Sequence, residues 1–328
     1  MRLYYIASGY RRPIDILDNA LMKALYGQCH ESKIFLLNRA PIQQLLPDIR
    51  EFRPEFVLTI CGPRSFLPVD QVRSIRRMGI PIGVWFVDDP YAIDNALQVA
   101  AEYDIIFTID SGCVPYYERH GCKRVHHLPL GTDTDIFRPF NAHPSYESDI
   151  CFIGTGYDNR LRMMQQMLKE LDPGVHVKLV GHFWDTVNWS GGCIPHLRTK
   201  WVNFSETPRY YNGAKLVLNI HRSEDDTLID KNKTGAPGHT INNRTFDIAA
   251  CRRAQIIDYR PDLHMFYEPG AELLCFESPK ECAELIHTYL YEDAKRSSIA
   301  SQGYERTQSE HTFAKRLEHL LSRVRELE

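Results

Sequence analysis

Twice along its length the chain alternates short apolar runs of strand length with longer amphipathic runs, and this rhythm commits it to parallel sheets covered by helices. In the first half, strands read as Leu3–Ala7, Lys33–Leu37, Phe56–Cys61, Ile82–Val87, Ile105–Ile109 and Val125–Leu128. Helices fall between them near Ile14–Tyr26, Ile42–Arg50, Val69–Met78 and Ala92–Ala101, with one more closing at Gly121. The second half restarts with strand Asp149–Ile153, a helix over Asn159–Leu171 and strand Val175–Val180. Strand Leu216–Ile220, a helix over Arg244–Cys251 and strand Ala254–Asp258 follow, then helices over Pro279–Tyr291 and Phe313–Leu327. The fold class is α/β, and the polar, proline-containing stretch 138–148 reads as the linker between domains 1–137 and 149–307.

In parallel sheets, ligands collect beyond the carboxyl ends of the strands, so the residues just after each strand carry the functional reading. After the first strand of the second half comes Gly154-Thr155-Gly156, with Arg160 at the start of the next helix. Glycines let a ligand approach the backbone, and a helix start with an arginine favours an anionic oxygen; a plain strand-to-helix turn accounts for the pattern equally well. The sixth position of a dinucleotide fingerprint holds Asn159 rather than glycine, which argues against a nicotinamide cofactor. Gly181 follows the next strand, and Val202-Asn203-Phe204 is a stretch that would line a base. Trp184, Trp189 and Trp201 would either stack on a ligand or pack into the core.

Strand Leu216–Ile220 delivers His221 and Arg222 to the same edge. Arg222 would grip phosphate oxygens in pairs, or pair with Glu224, Asp225 or Asp226. The charged, glycine-containing stretch 223–238 reads as a mobile loop, with Lys231 and Lys233 as reserve phosphate contacts. Beyond it, Pro237-Gly238-His239-Thr240-Ile241-Asn242-Asn243 opens a helix whose N-cap candidates are Thr240, Asn242 and Asn243. Arg244 in its first turn would attract a phosphate, and Asp247 would accept hydrogen bonds from sugar hydroxyls, unless the two form a surface pair three residues apart. In the first half, Asp88-Asp89-Pro90 follows a strand. Either carboxylate there would hold an acceptor hydroxyl or take its proton, or else cap the following helix.

Composition removes several alternatives. A net charge of −3 gives no general attraction to nucleic acid or an anionic membrane. No apolar run nears about 18 residues, so no membrane span is expected, and cytoplasmic placement is the default reading. Nine scattered cysteines, never spaced C-x-x-C, read as buried thiols in a reducing compartment, and the 14 histidines show no metal-ligand spacing.

The run Asn243-Arg244-Thr245-Phe246-Asp247-Ile248-Ala249-Ala250-Cys251 resembles the Asn-x-Arg-x-Phe-Glu-x-Ala-Ala-Cys-Gly signature of the CgeB-like, spore-maturation-type glycosyltransferases. Asp258-Tyr259-Arg260-Pro261-Asp262-Leu263 and Phe266-Tyr267-Glu268-Pro269-Gly270 are similar to the same family, as is Asp-Asp-Pro after the strand holding Trp85. The likeness is good over 149–321. It implies a GT-B fold, two Rossmann-like domains facing each other across a cleft, with helix 308–328 packing back on the N-terminal, acceptor-side domain. Pro129–Pro139 would be the segment that leaves that domain. The broader retaining group carries two glutamates eight positions apart, where this chain has His239 and Asp247. The family glycine after the helix is Arg252.

The resemblance implies transfer of a sugar from a nucleoside diphosphate to an acceptor hydroxyl, with retention and without a bound metal. Neither a tightly held cofactor nor an identified acceptor follows; the donor is a nucleotide sugar, with UDP-sugar the first choice. Gly154, Thr155, Gly156, Arg160, Gly181, His221, Arg222, Asn242, Asn243, Arg244, Thr245 and Asp247 form the implied donor set. Asp88, Asp89 and His239 are the candidates for chemistry at the acceptor. Two other readings stay open on the same scaffold, a sugar-nucleotide epimerase and a non-catalytic nucleotide-sugar or glycan binder.

Overall fold

The computed structural model describes residues 1–11, 14–28, 31–226 and 232–327. The chain divides into two compact units. The first comprises the described residues of Met1–Gly131, Thr227–Thr240 and Phe313–Glu328; the second comprises Thr132–Asp226 and Ile241–Thr312.

The first unit runs β1 (Arg2–Ala7), α1 (Asp15–Gln28), β2 (Glu31–Leu36), α2 (Leu45–Phe52), β3 (Phe56–Cys61) and α3 (Val69–Arg77). It continues with β4 (Ile82–Phe86), α4 (Ile93–Ala100), β5 (Ile105–Thr108), α5 (Val114–Arg119) and β6 (Val125–His127). The strands lie in the order β2-β1-β3-β4-β5-β6, every pair parallel, which is the flavodoxin-like order with its reversal between β1 and β3. Both β3 and β4 are buried along their whole length, as strands covered on two faces must be, and this explains their largely apolar sequences, in which the Thr59 hydroxyl donates to the Ile6 carbonyl.

The second unit runs β7 (Ser148–Ile153), α6 (Asp158–Lys169), β8 (Val177–Val180), β9 (His196–Arg198), α7 (Thr207–Gly213) and β10 (Ala214–Asn219). After these come α8 (Asn243–Ala250), β11 (Ala254–Asp258), β12 (Leu274–Phe276), α9 (Pro279–Leu290) and α10 (Asp293–Glu310). Its strand order is β12-β11-β10-β7-β8-β9, again wholly parallel. That is the doubly wound nucleotide-binding order, and its reversal falls between β7 and β10. Helix α8 ends in a left-handed turn at Arg252 (φ +53°), with the Arg252 N–H on the Ala249 carbonyl at 2.8 Å. A left-handed stop is therefore made even though arginine stands where glycine would be at ease.

After α10, α11 (Phe313–Arg325) returns to the first unit. It buries Phe313, Leu317, Leu320, Leu321 and Val324 against the face holding Trp85, whose indole N–H donates to the Leu128 carbonyl at 2.8 Å. Each such side chain contributes about 1.5–3 kcal/mol on burial, so the apolar stripe is what holds the helix on this unit. A second segment also joins the first unit. Asp110, at the end of β5, accepts the backbone N–H groups of His239 (3.0 Å) and Thr240 (3.2 Å), and the Thr240 hydroxyl lies 2.9 Å from Nε2 of His127. His239 and Thr240 therefore belong with the first unit, whereas a boundary at 138–148 places them in the second. No described helix is long and apolar enough to cross a membrane.

Candidate functional site

The reversal point of the second sheet gathers most of the donor set. Gly154 ends β7, and a Cβ there would lie 3.1 Å from Nη2 of Arg244 and 3.3 Å from Nη1 of Arg160. At the end of β8, Gly181 (φ +136°) brings its backbone so close that a Cβ would sit 2.2 Å from the Gly154 carbonyl oxygen. Gly181 thus requires glycine for close packing of the strand ends, and the guanidinium of Arg244 lies over Gly154.

Two aromatic rings space the arginines. Arg244 and Arg160 both stand over Phe152, at 5.2 and 5.4 Å from its centroid; Arg160 and Arg222 both stand over Tyr157, at 5.1 and 4.6 Å. Such contacts supply about 0.5–1 kcal/mol each and hold like charges near one another. Nη1 of Arg244 donates to Asn219 Oδ1 at 3.0 Å, and no described carboxylate lies within ion-pair distance of Arg244. Arg222 lies 3.7 Å from Asp226, a long and loose pair, while Arg260 donates to the Arg222 carbonyl and to Glu224. The surface pairing of Arg244 with Asp247 does not form.

Several donor candidates turn out to be framework. Nε and Nη1 of buried Arg160 are spent on the carbonyls of Ile220 and Thr155, both at 2.9 Å, so this arginine ties the loop down. The Gly154 N–H goes to Val180 and that of Gly156 to His182, which leaves the Thr155 N–H as the backbone donor of this loop without a partner among the described residues. Gly156 is small because the Trp184 ring lies against it, and Trp184 itself is core, its indole N–H on the Gly154 carbonyl. Thr245 is fully buried, its hydroxyl accepting from Asn219 and its carbonyl from Gln255.

His221 is also spent within the protein. Its Nδ1 donates to Asp258 at 2.6 Å and its Nε2 accepts the Asn242 backbone N–H at 3.0 Å, so the ring is neutral and bolts the start of α8 to the ends of β10 and β11. Burial, outweighing Asp258, lowers the pKa of His221. Burial pushes the Asp258 carboxyl up, but the His221 and Arg260 contacts outweigh it and hold it below the ordinary carboxylate value. Asn242 begins α8 with no side-chain cap, its amide donating to Asn219 Oδ1, while its own Oδ1 is buried without a hydrogen-bond partner. The Asn243 amide reaches Asp247 at 3.3 Å.

Asn219 escaped the sequence reading although it is the hub of the arrangement. Completely buried at the end of β10, it accepts from Asn242 and Arg244 and donates to Thr245. The one available signal was a polar residue closing an otherwise apolar strand. Thr132 escaped too: its hydroxyl donates to Asp247 at 2.8 Å. Burial pushes Asp247 up to about 8. An ordinary aspartate ionises near 3.8, so between these values the unfolded chain ionises while the folded one resists, and stability falls as pH climbs through that window. Asp247→Asn removes this dependence: the melting temperature at pH 8 should exceed that of the unmutated protein, with a flatter profile from pH 5 to 8. Parallel profiles would show that Asp247 ionises freely in the fold.

Of the acceptor-side candidates, all in the first unit, Asp89 is withdrawn. It is buried and accepts from the Thr108 hydroxyl at 2.5 Å and the Tyr117 hydroxyl at 2.8 Å; burial, against those bonds, raises it to about 7. Asp88 is half-buried and lies ahead of α4, whose N-cap position is Ala92. His239 is half-buried, anchored through its backbone. Lys231 lies outside the described residues; the N–H of Lys233 is bound by Asp94 within the first unit.

A glycosyl transferase-like family model matches residues 160–322. Spore protein CgeB of Bacillus subtilis (strain 168) is 28% identical over 326 residues, 95% of each chain. An alpha-glucosyltransferase solved with UDP and a 13-mer DNA containing an HMU base superposes with a TM-score of 0.70 at 10% identity over 99% of both chains. HepE of Anabaena, solved with UDP and glucose, gives 0.63 at 10% identity over 99% of this chain and 100% of that one. Over residues 160–322 the chain is glycosyl transferase-like, along nearly its whole length it is similar to spore protein CgeB, and its fold is GT-B.

Proposed function

We propose that the second unit holds a nucleoside diphosphate-sugar, with UDP-sugar the first choice, and that its sugar is transferred with retention and without a bound metal to an acceptor carried by the first unit. The observation that carries this reading is the gathering of Arg244 and Arg222 on the Phe152 and Tyr157 rings beside the uncapped start of α8. In this account the diphosphate lies over Gly154. Arg244 and the Thr155 N–H take its oxygens, and Arg222 exchanges its loose contact with Asp226 for phosphate. Asp247 and Asn243 take the ribose hydroxyls. Charge on the departing diphosphate grows in the transition state, where fixed guanidiniums and helix N–H groups stabilise it most.

The leaving phosphate then accepts the acceptor's proton on the face it leaves, so no protein base is required. Burial of Asp89 favours this over inversion, which would fall to Asp88 or His239. HepE and the alpha-glucosyltransferase, both solved with UDP, support uridine as the base. Incubation with UDP-glucose and UDP-galactose, followed by NMR, is the test. Release of UDP with an α-configured product, or slow α-sugar release without acceptor, is expected. A β product, or an epimerised donor with no UDP formed, contradicts the proposal.

A further inference from the structure

At the opposite edge of the second sheet, where β7, β10 and β11 begin, the chain forms an open cavity of ≈ 840 Å³, room enough for a small metabolite. Lys215, Arg252, Arg253 and Arg296 line it, and their circumstances differ. Lys215 pairs with Asp149 at 2.7 Å, and Arg296 pairs with Asp293 while also donating to the Tyr289 and Leu290 carbonyls. Arg252 reaches only the Ser301 hydroxyl. Arg253 has no hydrogen bond or ion pair to any described residue, and its Nε is sealed from solvent. In the same wall the Ser148 hydroxyl is buried and equally without a partner.

A buried guanidinium Nε and a buried hydroxyl left unsatisfied in one cavity are costly unless something else binds them. Charge points the same way. With Asp149 and Asp293 neutralised by their partners, Arg252 and Arg253 face only Glu147, which is exposed. Burial lowers the pKa of Arg253, the direction expected of a cation without a counter-charge. Arg252, moreover, is held at φ +53°, a strained conformation for any side chain but glycine, at the mouth of this cavity.

We propose that this cavity is a second anion site, taking a phosphoryl group, free or as the monoester of a small metabolite, on Arg253 with help from Arg252 and the Ser148 hydroxyl. It is separate from the donor site at the other strand ends and does not depend on that assignment.

Isothermal titration of the full chain with inorganic phosphate and with glucose 1-phosphate tests the site, using the Arg244→Ala background to remove anion binding at the donor edge. Binding should persist in that background, weaken at least about tenfold with Arg253→Gln, and weaken less with Ser148→Ala. Arg252→Gly should weaken it while raising the melting temperature, a combination that general damage to the fold cannot produce. Equal affinity for the two probes identifies free phosphate as the ligand; preference for the ester identifies a phosphorylated metabolite. The proposal falls if neither probe binds, if Arg253→Gln leaves affinity unchanged, or if binding disappears with Arg244→Ala alone.

Discussion

Arg244→Ala should lower kcat/KM for donor turnover by about 10²- to 10³-fold, the size of effect found when one preorganised donor to a developing anion is removed. The loss should fall mainly on kcat, because the charge that Arg244 meets is greatest as the diphosphate leaves. UDP affinity should also drop, by roughly tenfold or more. Lysine should not rescue: Nη1 of the guanidinium is held by Asn219 at 3.0 Å while the ring of Phe152 supports its face, and an ammonium on a flexible stem can do one or the other. Turnover and UDP binding within twofold of the unmutated enzyme would remove Arg244 from the site.

The largest effect on stability should come from His221→Ala, about 3 kcal/mol, read as a shift in the denaturation midpoint. The change strips the half-buried Asp258 carboxylate of its 2.6 Å partner and leaves the Asn242 N–H without its acceptor. It also alters the acid limb. His221 is depressed below its ordinary value of 6.5, so its contribution is complete above that pH and is lost as pH falls through 6.5 towards the folded value. Asp258, held below 3.8, adds a second loss further into acid. The His221→Ala protein should lack the first of these steps. A variant of native stability, or one that keeps the step near pH 6.5, would mean that the imidazole does not bolt α8 to the sheet.

Strand positions were largely legible because a doubly covered strand is mostly apolar: Phe56–Cys61 and Ala254–Asp258 read with the boundaries they have in the fold. What carried no such signature was missed. Helix α10 runs 18 residues but buries only Ile299, Ala300, Gly303 and Thr307, too few and too small to make an apolar stripe. Strands β9 and β12 are three residues each.

Gly154, Gly181, Arg222 and Arg244 stand at strand ends or at a helix start, as their positions in the sequence imply. His221, Thr245 and Arg160 were misread for one shared reason. Residue type announces hydrogen-bonding capacity, but not whether the fold has already used it, and in these three the capacity goes to Asp258, Asn219 and two carbonyls. Asn219 was missed for the converse reason, since a single amide closing an apolar strand reads as an ordinary edge residue. Asp110 drew His239 and Thr240 to the first unit through backbone N–H groups, which sequence does not distinguish.

A crystal structure of the chain with UDP is the most direct measurement. The account predicts the β-phosphate over Gly154, with its oxygens within hydrogen-bond distance of the Arg244 guanidinium and the Thr155 N–H, and Arg222 swung from Asp226 towards the phosphates. Density for the diphosphate elsewhere, or bound there with Arg222 still on Asp226 and Arg244 making no phosphate contact, would contradict it.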